Sequence, residues 1–353
     1  MPAALLLALV ALATLTFACA PRPADPPSVT ITANSGLNAS ATPTATTGEP
    51  SPSGTPSRPT ESATAAGASA TPSATRTATA TPASTSPPTP AFSVAVEPRS
   101  VGQGETVLVR VTGATAGTVR FGGRTTTLIT SAEGAWAVLG IGLYTPLGPV
   151  TITVDARDAQ GQAAGTVAAT ATVVDPQRPA DYLVVTEETE AILTPEAGER
   201  ELQLRGQQFA RFDPTPRWRT AFRHPVLGFE VSTQFGSGRS INGGPVGDFH
   251  SGEDLAVDMG TPVSAAAPGR VAWVGAMPIR GNTVIIDHGG GVMTGYHHLQ
   301  DITVEAETPV EAGALIGHVG STGFSTGPHL HWELTIYGVN VDPETWATRL
   351  FSR

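Results

Sequence analysis

The sequence predicts a mostly β protein, with two folded β parts carried behind a long segment that cannot fold by itself. Three observations lead there. From Phe92 onward, β-branched runs alternate with Gly-rich turns at roughly ten-residue spacing, as in a small antiparallel sandwich. Glycine-punctuated β patterns return after Pro225 and continue to Arg353 without a long amphipathic helix. Between Ala20 and about Pro90 the chain is built almost wholly from Ser, Thr, Ala and Pro. Such a composition buries too little apolar surface to offset its ordering entropy.

Residues 1–19 read as an export signal, an apolar stretch followed by small residues up to Cys19. Cys19, the single cysteine of the 353-residue chain, sits where a bacterial lipoprotein signal is cut and its thiol acylated. Thr16, Phe17 and the absence of an early Lys or Arg depart from that pattern. Ordinary cleavage after Ala18-Cys19-Ala20 and an uncleaved apolar helix therefore stay open beside lipidation. All three place the remainder outside the cytoplasm, in the cell envelope, with lipidation at Cys19 tethering it to the membrane. Residues 20–91 are then a disordered, partly polyproline-like linker.

Residues 92–176 are expected to form an Ig-like sandwich. In Thr106-Val-Leu-Val-Arg-Val-Thr112 the residues Val107, Val109 and Val111 share one face. Further strands are expected at Gly117–Phe121, Thr125–Ile129, Ala135–Leu139, Val150–Val154 and Val167–Val174. No histidine or acidic cluster marks a site there, so the part reads as a spacer. Residues 177–217 form a connector, with one strand at Tyr182–Thr186 and a short helix at Glu199–Ala210 that Gly206 weakens. Residues 218–353 hold the chemistry.

The formal net charge is -10 and nothing in the chain resembles a basic phosphate-binding stripe, so no nucleic-acid partner is expected. One cysteine leaves neither an intramolecular disulfide nor a thiolate zinc site. All eight histidines lie between His224 and His331. His250-Ser-Gly-Glu-Asp254 offers an imidazole and a carboxylate four residues apart. His329-Leu-His331 on a strand projects both imidazoles to the same face, so one can bind a metal while the other reaches its open position. Two neutral imidazoles and a carboxylate make a three-donor zinc set that leaves a fourth position for water.

Together these segments strongly resemble the LytM/lysostaphin-type zinc metallopeptidases that cut peptidoglycan peptides. The resemblance runs from about Trp218 to Trp346. It includes Ser232-Thr-Gln-Phe-Gly236, the His250-to-Asp254 motif, Gly260–Val271, Gly281–Gly289, Tyr296-His-His-Leu299 and Gly320–Glu333. It implies an antiparallel β catalytic domain, zinc as cofactor, and peptidoglycan stems or cross-bridges as substrate. It also implies His250, Asp254 and His331 as zinc ligands, with His298 and His329 as the catalytic histidines. Glu253 departs from the family's usual apolar residue; a second carboxylate near the metal stays open, although strand alternation favours pointing it away. The doublet His297-His298 is ambiguous by itself; alignment of Leu299 favours His298, and His297 then faces outward or lines the groove rim. His224, His288 and His318 take structural roles in loops and turns. The rival reading is a non-catalytic envelope protein of the same fold that binds wall or activates another hydrolase.

Overall fold

The computed structural model describes residues 92–209 and 213–352. The expected export signal, Cys19 and the expected linker lie outside the described residues. The first part contains β1 (Ser93–Glu97), β2 (Ser100–Gly102), β3 (Thr106–Thr112), β4 (Ala116–Phe121) and β5 (Arg124–Thr127). It continues with β6 (Ile129–Ser131), β7 (Gly134–Gly140), β8 (Gly148–Arg157) and β9 (Ala163–Val174). These strands make two sheets, ordered β1-β3-β7-β6 and β2-β9-β8-β4-β5. Val107, Val109, Val119, Ile152, Val154 and Val173 are among the side chains filling the core between them. All neighbours are antiparallel except β2 and β9, which run parallel, so the expected wholly antiparallel sandwich is corrected at that edge. The strand expected over Thr125–Ile129 is two strands. Leu128 turns into the core, and the chain crosses from the second sheet to the first.

The expectation of a mere spacer also needs correction. In β7 every residue from Gly134 to Leu139 is buried. Ala135, Ala137 and Leu139 face the sandwich core, while Trp136 and Val138 face the other way, into the core of the carboxy-terminal part. A continuous apolar run of this kind is what a strand covered on both faces requires. Leu108 of β3 joins that second core beside Trp218 and Trp346. Trp136 meets the Trp218 ring edge-on at 6.2 Å, and Trp346 Nε1 donates to Thr106 Oγ1 at 2.9 Å. The sandwich and the carboxy-terminal part therefore share a packed interface.

The connector holds β10 (Ala180–Leu183), α1 (Glu187–Glu190) and α2 (Pro195–Phe209). The expected strand over Tyr182–Thr186 thus starts and ends earlier, because Thr186 caps α1 by accepting from Thr189 N. Helix α2 begins four residues before the expected start. Thr194 Oγ1 accepts from Ala197 N at 3.1 Å and Pro195 occupies the first helical position, where its missing N–H costs nothing.

The carboxy-terminal part contains β11 (Glu230–Thr233), β12 (Gly238–Ile241), β13 (Glu253–Ala256), β14 (Pro262–Ser264), β15 (Gly269–Met277) and β16 (Gly281–Asp287). Then follow β17 (Val292–Ile302), β18 (Pro309–Val310), β19 (Leu315–Val319), β20 (His329–Ile336), β21 (Val339–Val341) and α3 (Pro343–Thr348). Strand β10 pairs in parallel with β12, which ties the connector to this part. The main sheet runs β11-β13-β20-β17-β16-β15-β18 through antiparallel pairs. Leu255, Val284, Ile286, Tyr296, Leu330, Trp332 and Leu334 fill the core on one face. Strand alternation then leaves Asp254, His331 and Glu333 to the opposite face, and that face carries the site.

Candidate metal centre

Three chain segments meet at the site. The register sets Asp254 of β13 opposite His331 of β20, and His331 opposite His297 of β17. His250 arrives from the loop before β13. Its backbone N–H donates to Ser237 O, and its Nδ1 lies 3.0 Å from Gln234 O. Gly252 makes the approach possible, since a Cβ there would stand 2.8 Å from His331 Cε1 and 2.5 Å from the Trp332 carbonyl oxygen.

The donor atoms converge tightly. His250 Nε2 and His331 Nδ1 are 2.8 Å apart, and Asp254 Oδ1 lies 3.0 Å from the first and 2.7 Å from the second. The outer atoms of both rings settle their tautomers. His250 Nδ1 faces a carbonyl oxygen, which only accepts, so Nδ1 carries the proton and Nε2 the lone pair. His331 Nε2 faces Glu333 Oε1 at 3.1 Å, so Nε2 carries the proton and Nδ1 the lone pair. Burial pushes the His250 imidazole down to about 4, a shift that Asp254 opposes only in part. In these neutral tautomers two lone pairs and a carboxylate oxygen are aimed at one another. A cation held between these atoms would satisfy all three, and an N₂O donor set suits zinc. Arg239 holds the other carboxylate oxygen, Oδ2, at 3.1 Å.

His298 and His329 stand beside this set, their rings 4.8 Å apart. His298 Nδ1 lies 2.7 Å from Thr322 O, and His329 Nδ1 lies 2.8 Å from Gly327 O. The same logic protonates both Nδ1 atoms and leaves each Nε2 as a base. His329 Nε2 is 3.7 Å from Asp254 Oδ1. Burial, then the neighbouring histidines, hold the His298 imidazole well below its usual range, so it stays neutral.

The doublet is resolved by a bulge. Between β16 and β17 the register gains one residue on β17, and His298 has φ 60°, in the left-handed region. A non-glycine residue held there is strained by about 1–3 kcal/mol, a cost often found at functional sites. The bulge brings His298 to the face that simple alternation would deny it. His297, expected to turn outward, is instead buried on that face at 1% exposure. Its Nδ1 is 3.0 Å from Thr283 Oγ1 and its Nε2 is 3.5 Å from Glu333 Oε2. Gly295 makes room for the ring, because a Cβ there would lie 2.4 Å from His297 Nε2.

Glu253 lies on the core side, opposite Trp332, away from the donor set. Burial, with Asp342 and Glu344 nearby, pushes its carboxyl up to about 8. His224 and His318 pair with Glu344 and Asp301, each at 2.7 Å, and His288 sits between Pro268 O and Thr294 Oγ1. The residue missed from the sequence is Glu333. It lies two positions after His331 on the same strand face, a spacing that could have flagged it.

Comparison with known proteins finds a family match over the segment that holds these residues. Residues 248–343 match the sequence model of Peptidase family M23, so the carboxy-terminal part carries a domain of that family. The DD-carboxypeptidase/endopeptidase Mpg of Neisseria meningitidis is 49% identical over 98 residues, 28% of this chain and 23% of that protein. The peptidoglycan DD-endopeptidase ShyA of Vibrio cholerae is 45% identical over 89 residues, 25% of this chain and 21% of that protein. The chain thus spans under a quarter of the length of these relatives. A solved structure assigned to peptidase M23, from Pseudomonas aeruginosa, superposes with TM-score 0.53 at 28% identity, covering 69% of this chain and 93% of that one. That likeness extends beyond residues 248–343.

Proposed function

We propose that the carboxy-terminal part is a zinc endopeptidase that hydrolyses peptide bonds in peptidoglycan stems or cross-bridges. One observation carries this reading: the lone pairs of His250 Nε2 and His331 Nδ1 and the Asp254 carboxylate face one point, with two further imidazole bases beside it. His250, Asp254 and His331 would hold the metal. Zinc, when bound, supplies a Lewis acid that polarises a carbonyl and lowers the pKa of water. His298 and His329, each with an unprotonated Nε2, are placed to take a proton from the attacking water and return it to the leaving amine. Once protonated, either ring can donate to the oxygen on which negative charge develops. The carbonyls of Thr322 and Gly327 fix both rings so that these nitrogens point inward.

The peptidoglycan assignment is supported by the M23 match and by the names of the relatives from Neisseria and Vibrio. Its test is mass spectrometry of muropeptides from purified peptidoglycan, before and after digestion by the zinc-loaded full chain. Cross-linked or stem peptides should shorten by defined amino acids, and a chelator should stop the reaction. Wall binding with stoichiometric zinc but no new peptide product would favour the non-catalytic envelope role.

The site of action follows from the same substrate, which lies outside the cytoplasm. We place the protein at the membrane through acylation of Cys19, with the Ser/Thr/Ala/Pro-rich segment between lipid and enzyme. Cys19→Ser should release protein into the medium or leave an unprocessed precursor. Identical fractionation of parent and variant, with no fatty-acid label in either, would overturn the lipid anchor.

A further inference from the structure

Helix α2 reaches the metal centre from the connector. Its buried face repeats every three to four residues, with Glu201, Leu204, Arg205 and Phe209 turned toward the sheet, whereas Leu202 is exposed. Leu204 and Phe209 pack on Met277, Ile285 and Met293 of the main sheet. The two charged residues between these anchors end in a closed network around Glu333.

Glu333 is buried, and both of its oxygens are engaged. Oε1 accepts from Ser251 Oγ at 2.6 Å, Arg280 Nε at 3.0 Å and His331 Nε2 at 3.1 Å. Oε2 accepts from Arg205 NH2 at 2.7 Å. Arg280 also pairs with Glu201, whose Oε2 accepts from the backbone N–H groups of Ile279 and Arg280 at 2.8 and 3.0 Å. Two buried carboxylates and two partly buried guanidiniums therefore balance in a quartet. Taking away one partner leaves a buried charge uncompensated.

What this network touches decides its role. His331 binds the proposed metal through Nδ1 only while its proton stays on Nε2, and Glu333 is the acceptor that keeps it there. Glu333 in turn keeps its position through Arg280 and Arg205. Half of the quartet, Glu201 and Arg205, comes from α2, outside the segment that matches the M23 model. We propose that α2 is a positioning element of the metal centre, with Arg205 and Glu201 fixing Glu333 and, through it, His331 as an Nδ1 metal ligand. The inference rests on the zinc reading of His250, Asp254 and His331.

The test uses the full chain, parent and Arg205→Met, with Arg205→Lys as the charge-conserving variant. Zinc affinity is read by competition with a chromophoric chelator, and coordination by the visible bands of the cobalt-substituted protein. The melting midpoint of the metal-free form monitors folding. Outer partners of metal-bound histidines typically contribute roughly 10–100-fold in affinity. Arg205→Met, one step further out, should weaken zinc binding by about tenfold and alter the cobalt bands, while Arg205→Lys recovers most of both. Zinc affinity within twofold of parent and unchanged cobalt bands in Arg205→Met would reduce α2 to a structural prop. Should Arg205→Met fail to fold, Glu201→Gln is read in the same two assays with the same criteria. A parent that binds no zinc would overturn the site reading itself, an outcome separate from parent and variants binding alike.

Discussion

Replacing His331 with alanine should abolish zinc binding and peptide hydrolysis together. The imidazole supplies one of three donors, 2.7 Å from Asp254 Oδ1 and 2.8 Å from His250 Nε2. Without it two donors remain, too few for the three-ligand arrangement of a catalytic zinc site. The loss should exceed the roughly 10–100-fold cost of removing an outer partner. It also leaves Glu333 without the N–H that His331 Nε2 offers, although both guanidiniums still hold that carboxylate. The sheet should survive, because β20 pairs through its backbone with β13, β17 and β21 and is anchored by Leu330, Trp332 and Leu334. Metal analysis after dialysis, with muropeptide release measured on the same sample, checks the expectation. An alanine variant that keeps stoichiometric zinc would remove His331 from the donor set.

The spacings that marked this site are local, which is why they could be seen in the sequence. His250-x-x-x-Asp254 and His329-x-His331 each fit within one turn or strand, and alternation put His329 and His331 on one face. The meeting of Asp254 with His331 across β13 and β20 is a long-range register that no spacing encodes. The bulge at His298 was hidden for another reason. A left-handed backbone at a non-glycine residue is imposed by surrounding structure, so alternation sent His297 outward when both rings lie on one face. Two signals were present and unused. Glu333 repeats the two-residue spacing of His329 and His331, and Thr194-Pro195-Glu196 carries a helix start ahead of α2. The charged pair Glu201 and Arg205, four apart, looks like an ordinary solvated helix face until packing shows Glu201 buried and Arg205 partly so. Likewise Ala135–Leu139 reads as a strand, yet only tertiary contact shows that its Trp136 and Val138 belong to a different core from Ala135 and Ala137.

His329→Ala should separate catalysis from metal binding. The ring sits two residues from His331 on the same strand face, yet its environment differs. Its Nδ1 is committed to Gly327 O, and its Nε2 stands 3.7 Å from Asp254 Oδ1, outside the close set of three donor atoms. Its ring lies 4.8 Å from that of His298 between centroids, so the two bases stand side by side. Removing His329 leaves all three donors, their outer hydrogen bonds and the Glu333 network intact. Zinc content after dialysis should therefore match the parent. Turnover should fall by on the order of 10²-fold or more if His329 moves a proton in the rate-limiting step, equivalent to about 2.7 kcal/mol or more on the barrier. His298 cannot fully substitute, because burial disfavours its charged form and Thr322 O fixes its ring. If His329→Ala and His331→Ala lose zinc to the same extent, the two histidines do not divide the work in this way and His329 belongs among the ligands.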